Sequence, residues 1–235
     1  MYLDQNLKKD QEFIKKIKTN KKNARKNKQG IKAKDVFEIN NFNLLKEKDY
    51  YYELEDFYKK PDEVYNLLNT IPPRVHKWGE KNSLNTINFL DCRHMIISDE
   101  FKDVEKKLYE LVNRDSSKIE GKILSNFTKF FNINNEYQEN YWWPHTDNNI
   151  YNCIIYLNHT PCDGTNLYEK ISDKNIKNNE HQQPWQSKKD YNLICNIKSK
   201  YNKLVIFKSN IYHGLAYNEH KYKNKFRKNQ VIFID

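Results

Sequence analysis

Tyr151-Asn152-Cys153-Ile154-Ile155-Tyr156-Leu157-Asn158 is the run on which the fold of this chain turns. It is rich in β-branched and aromatic strand formers, and Asn158 closes it with a turn signal. Just upstream stands His145-Thr146-Asp147. Downstream, Pro161-Cys162-Asp163-Gly164-Thr165-Asn166-Leu167-Tyr168 reads as a turn leading into a second strand. Lys203-Leu204-Val205-Ile206-Phe207 is a third strand, followed by Ser209-Asn210 and then Ile211-Tyr212-His213-Gly214. The chain closes on Phe226-Arg227-Lys228-Asn229-Gln230-Val231-Ile232-Phe233-Ile234, a strand in which Arg227, Asn229, Val231 and Phe233 share one face.

The chemistry in this pattern lies in three residues. Side chains two apart on a strand point the same way, so His145 and Asp147 can present an imidazole and a carboxylate together. His213, from a distant strand, completes a 2-His-1-carboxylate triad, which holds Fe(II) on one face of an octahedron and leaves three positions open. Arg227 then supplies a cation for a dicarboxylate. Each residue also has a plainer reading. His213 can be a satisfied core histidine, Asp147 the start of an Asp147-Asn148-Asn149 turn, Arg227 an exposed strand residue and Tyr156 core filler. His-x-Asp alone does not decide between them; the order of the flanking elements carries more weight.

That order resembles the 2-oxoglutarate/Fe(II)-dependent oxygenases, and within them the prolyl-hydroxylase-like branch. The resemblance rests on the HTD triplet, the CIIYLN strand, the DGT turn with LY after it, LVIF ahead of YH, and the final FRKNQVIFID strand, over roughly residues 120 to 235. Tyr52-Glu53-Leu54-Glu55-Asp56-Phe57-Tyr58 followed by Lys59-Lys60-Pro61-Asp62-Glu63-Val64 is similar to the strand-then-helix opening of these enzymes. The resemblance implies a mainly β fold with supporting helices, a double-stranded β-helix (a jelly-roll, cupin-like barrel) with the metal inside. It implies His145, Asp147 and His213 as metal ligands. Arg227 and Tyr156 become the partners of the distal carboxylate of 2-oxoglutarate, a task suited to a planar guanidinium and a phenol. The cofactors implied are Fe(II) and 2-oxoglutarate, with ascorbate as an accessory reductant. The activity implied is hydroxylation of an amino acid or peptidyl side chain, so the partner is a small-molecule or peptide substrate. The chain departs from the family in the polar, basic insert Asn218 to Lys225 between His213 and Arg227. It also lacks a match for the tyrosine at the other end of the cosubstrate, where Ser125-Asn126-Phe127-Thr128-Lys129-Phe130 stands.

Length and composition fit one such domain. The 235 residues are 37% hydrophobic, but 17 Tyr and 12 Phe each bury a large area. The net charge of +10 is uneven: residues 1 to 34 hold 12 of the 41 Lys and Arg against three acidic residues, a charge of +9 that leaves only +1 for the rest. This divides the chain into a flexible basic arm, 1–34, and a single oxygenase domain, 35–235, with N-terminal helical support and a C-terminal jelly-roll core. The arm reads as solubilising, and nucleic acid is a partner only through it. Cys92, Cys153, Cys162 and Cys195 form no CxxC pair, so no zinc site is indicated. With no signal peptide and no long apolar run, the expectation is a cytoplasmic protein without membrane contact. The sequence leaves its oligomeric state open.

Helices are expected from Pro61 to Asn69 and around Phe101 to Val112, the latter with Phe101, Val104, Leu108 and Leu111 at helical spacing. The long polar segment Glu169 to Asp190 reads as a lid over the barrel mouth, with Trp185 as a substrate contact. Trp143, two residues before His145, lines the same pocket or fills core. Two other functional classes remain open. One is a cupin-like metal or small-ligand binding protein without oxidative turnover; the other is a nucleic-acid-associated protein acting through its arm.

Overall fold

In the computed structural model the described residues are 36–41, 45–70, 74–78, 87–95, 99–112, 121–125, 144–160, 164–171, 190–216 and 227–235. Two helices and two antiparallel sheets are built from them. The strands are β1 (Lys46–Glu47), β2 (Tyr52–Leu54), β3 (Arg74–Trp78), β4 (Ile87–Met95), β5 (Gly121–Ser125), β6 (Tyr151–Tyr156), β7 (Thr165–Lys170), β8 (Tyr191–Ile197), β9 (Lys203–Lys208), β10 (Tyr212–Leu215) and β11 (Asn229–Ile234). The helices are α1 (Pro61–Thr70) and α2 (Asp99–Leu111). The larger sheet runs β1-β2-β9-β6-β11-β5-β4-β3, and the smaller runs β10-β7-β8.

The centre of the large sheet, β9-β6-β11, is apolar because it is covered on both faces. Cys153 and Ile155 of β6, Leu204 and Ile206 of β9, and Ile232 and Ile234 of β11 pack with Val64 and Leu68 of α1 and Phe101, Val104 and Leu108 of α2. The alternate residues Ile154, Tyr156, Val205 and Phe207 pack instead with Leu167 of β7 and Ile197 of β8. Period-2 geometry thus sends one set toward the helices and the other toward the small sheet. Burying each of these large side chains is worth about 1.5–3 kcal/mol.

Pro61 opens α1, and Asp62 and Glu63 occupy its first turn, where the helix dipole favours negative charge. Val64 and Leu68, one turn apart, bury its inner face. Both helices lie within a residue or two of their sequence-read bounds. The Tyr52-to-Tyr58 strand is shorter than expected: it ends at Leu54, and Asp56 follows with φ 54°, a left-handed turn position. Past that turn, Asn202, itself at φ 61°, accepts a hydrogen bond from Tyr58 N on Oδ1 and donates Nδ2 to Tyr58 O, both at 2.8 Å. Of the expected architecture, the mainly β fold with supporting helices is met, as two antiparallel sheets and two helices. Among the described residues the sheets do not close into a barrel. No helix is long and apolar enough to cross a membrane among those residues.

Candidate metal centre

The space between the two sheets brings the HTD triplet to His213. His145 joins the edge of the small sheet through a two-bond bridge, with His145 N to His213 O at 3.0 Å and His213 N to His145 O at 2.8 Å. Asp147 does not continue a strand, contrary to the sequence reading. It lies in the loop leading into β6, where Asp147-Asn148-Asn149 favours a turn. The turn and ligand readings of Asp147 are therefore compatible. Its N–H donates to Ser209 O at 3.0 Å, and Ser209 N donates to Ile150 O, so the loop is stapled to the β9–β10 turn.

The three side chains converge. His213 Nε2 lies 3.1 Å from Asp147 Oδ2, and His145 Nε2 lies 4.0 Å from Asp147 Oδ1. All three donor atoms fall within 4.8 Å of one another. Metal–donor bonds of about 2.1 Å place donors roughly 3–4 Å apart around one ion, and the two separations from Asp147, 3.1 and 4.0 Å, fall in that range. His213 is 6% exposed, and its Nδ1 lies 2.9 Å from Ile211 O. That carbonyl makes Nδ1 the donor and fixes the ring, so Nε2 is the nitrogen turned toward Asp147. Burial pushes the Asp147 carboxyl up, but the hydrogen bond from His213, the charges of His213 and His145 and the Asn152 amide outweigh it and hold it down at about 2. The carboxylate is thus ready to bind a cation at neutral pH. Two imidazoles and one carboxylate are a donor set for a divalent transition metal such as iron.

A second polar group sits further along the same chamber. Asn152, Ile154 and Tyr156 share the inward face of β6, and Asn229 pairs with Tyr156 across the β6–β11 ladder. Four residues of strand separate Asn152, beside His213, from Tyr156, a distance of roughly 13 Å. Arg227 is 4% exposed, not a surface residue. Its Nη1 donates to Asn229 Oδ1 at 3.1 Å, and its Nη2 donates to Gly164 O at 3.2 Å and Thr165 Oγ1 at 3.5 Å. The guanidinium lies 5.6 Å from the Tyr156 ring centre, and the Tyr156 hydroxyl is 2.8 Å from Thr165 Oγ1. Neighbouring Lys228 turns the opposite way, over the Tyr65 ring of α1. Among the described residues no carboxylate pairs with Arg227, and Arg227 Nε and Asn229 Nδ2 are buried without a hydrogen-bond partner. A buried cation with spare donors is costly unless an anion meets it. These donors fit a carboxylate.

His145, Asp147 and His213 thus lie together, as do Arg227 and Tyr156. Trp143 and Trp185 lie outside the described residues, as do the basic arm, most of the expected lid and the insert Asn218 to Lys225. Sequence reasoning missed Asn152, Thr165 and the carbonyl of Gly164 as site residues. For Asn152 a signal was present: a polar residue at the parity of Ile154 and Tyr156 within an apolar run. The other two carried none.

No protein-family model matches the chain, and no curated protein does. Among solved structures, the chain is similar to the crystal structure of an oxidoreductase of the 2OG-Fe(II) oxygenase family from Burkholderia pseudomallei. The two are 11% identical, with a TM-score of 0.45, over 78% of this chain and 84% of that one.

Proposed function

We propose that this chain is a non-haem Fe(II)- and 2-oxoglutarate-dependent dioxygenase of the prolyl-hydroxylase-like kind, with a jelly-roll core, that hydroxylates an amino acid or peptidyl side chain with release of succinate and CO2. One observation carries the reading: a three-donor metal set and a buried guanidinium with no carboxylate partner among the described residues share one inner chamber wall. The metal set alone fits a cupin-like binding protein equally well. The buried Arg227 does not, because metal binding by itself brings no anion to the guanidinium.

In this reading His145, Asp147 and His213 hold Fe(II), and Arg227, Tyr156, Thr165 and Asn229 receive the distal carboxylate of 2-oxoglutarate. Iron with this cosubstrate supplies the oxidising chemistry for a C–H bond. The chain's own work is positional. Ile211 O fixes the His213 ring, so one nitrogen is always turned to the metal. Arg227 is held at three acceptors, which leaves Nε–H and one N–H of Nη1 as spare donors for an anion. Ile154, Val205 and Phe207 line the wall between the two ends and exclude water, which strengthens both electrostatic contacts. No separate acid or base is needed.

The test is anaerobic addition of Fe(II) and then 2-oxoglutarate to metal-free protein, watching for a visible metal-to-ligand charge-transfer band. A band in the wild type that is absent in His145→Ala is expected. Iron binding without a band would turn the reading to the cupin-like class; no iron binding at all would overturn the metal centre.

A further inference from the structure

The least accounted-for polar group in the chamber is the amide of Asn152. It is 1% exposed on a strand whose other inward residues next in line are Ile154 and Tyr156. Its Nδ2 donates to Asp147 Oδ2 at 2.7 Å and lies 3.2 Å from His213 Nε2. Its Oδ1 accepts from Asn149 Nδ2 at 2.8 Å, which settles which end of the amide faces the carboxylate. Asn149 is itself anchored, with Nδ2 also donating to Tyr151 O and its carbonyl accepting from Ser209 Oγ. A buried amide persists when its hydrogen-bonding capacity is used, and here every partner belongs to the ligand loop or to a ligand.

We propose that Asn152 is a positioning residue for the metal centre, and that Asn149 and Asn152 form an amide relay fixing the Asp147 carboxylate for the metal. This rests on the metal-centre reading above. Ile211 O engages Nδ1 of His213, and Nε2, the nitrogen left for a metal, stands 3.2 Å from Asn152 Nδ2. A metal bound at Nε2 would occupy that nitrogen, so the bond from Asn152 Nδ2 to Asp147 Oδ2 is the one that would persist on loading. The relay thus holds both ligands in place before the metal arrives, and one of them afterwards. Partners of metal ligands that fix their orientation carry about 10–100-fold of metal affinity.

The experiment measures Fe(II) affinity of the full-length, metal-free protein by anaerobic competition with a chromophoric chelator, together with the visible d–d spectrum of the Co(II) form. No cosubstrate is needed. Asn152→Leu keeps the size but removes the amide, and is expected to weaken Fe(II) binding by about 10–100-fold and to alter the Co(II) bands. Asn152→Thr restores one donor on a strand-compatible side chain and is expected to recover part of both. Asn149→Ala leaves Asn152 in place without its anchor; a smaller loss with altered Co(II) bands is expected, and this variant decides the matter if Asn152→Leu does not fold. Affinity and spectrum unchanged in the folded variants would overturn the relay while leaving the metal centre standing. A wild type that binds neither metal would instead overturn the centre, and the relay with it.

Discussion

Replacing Arg227 by Met separates the two ends of the chamber. The substitution removes the charge but keeps an unbranched side chain of similar reach, so Tyr156 and Thr165 retain a neighbour. A charge-assisted hydrogen bond is worth about 1.5–3 kcal/mol. Two such bonds to a carboxylate give roughly 3–6 kcal/mol, or a loss of about 10²–10⁴-fold in cosubstrate affinity. The protein without cosubstrate is affected far less. Arg227 there is a buried cation facing, among the described residues, the neutral acceptors Asn229 Oδ1, Gly164 O and Thr165 Oγ1. Losing their donor offsets the relief of discharging the site. The assay is an anaerobic thermal melt with metal, with and without 2-oxoglutarate. At 100 times its Kd a ligand adds about 2.7 kcal/mol, which for a chain of this size raises Tm by roughly 5–10 °C. The wild type is expected to show that rise and Arg227→Met none, with Fe(II) affinity unchanged in both. A variant that keeps most of the rise would refute the assignment of Arg227 to the cosubstrate.

Two further outcomes follow from buried groups away from the metal. Glu105 of α2 is 3% exposed with Oε1 unpartnered, and burial pushes its carboxyl up to about 7, with Lys102 opposing. The folded protein therefore binds more protons than the unfolded chain between the ordinary carboxyl range and about pH 7, and stability falls as pH rises through that window, by up to about 3 kcal/mol. Urea denaturation at pH 5 and pH 8 is expected to show this fall in the wild type and to show it abolished in Glu105→Gln; equal slopes would exclude it. Gly164→Ala puts a Cβ 2.0 Å from Ile197 O and 2.8 Å from Ser199 N, both backbone atoms that cannot rotate away. A loss of roughly 2 kcal/mol or more is expected, together with weaker cosubstrate binding because Gly164 O holds Arg227. Chemical denaturation and the same thermal melt read the two effects.

The parts of this molecule legible in the sequence were those written in short-range pattern. CIIY and LVIF announced strands, and Phe101, Val104 and Leu108 announced the inner face of α2, because hydrophobic periodicity is local. His145, Asp147 and His213 stood out by residue type, though the strand expected under Asp147 is a loop. What was not legible depends on register between distant segments. Tyr58 OH donating to Gln230 Oε1 joins residues 172 apart, and Asn202 holds Tyr58 across 144. Thr165 meets Arg227 only because the start of β7 lies beside the residues that lead into β11. The relay asparagines are ordinary residues in an Asn-rich chain until the pairing of β6 with β9 and β11 turns Asn152 inward.

Strand β6 is read by two different neighbours, and this makes its phase as important as its composition. Asn152, Ile154 and Tyr156 belong to the chamber, while Cys153 and Ile155 belong to the helices. A slip of one residue exchanges the two sets completely. The amide now beside the metal ligands would give way to the buried thiol of Cys153, a soft donor with its own appetite for metals. Deleting one residue between His145 and Tyr151 would therefore do more than shorten a loop: it would hand the centre a sulfur ligand and bury a phenol and an amide among the helices. The length of that five-residue connection is in this sense an instruction, as strict as the identity of any ligand it carries.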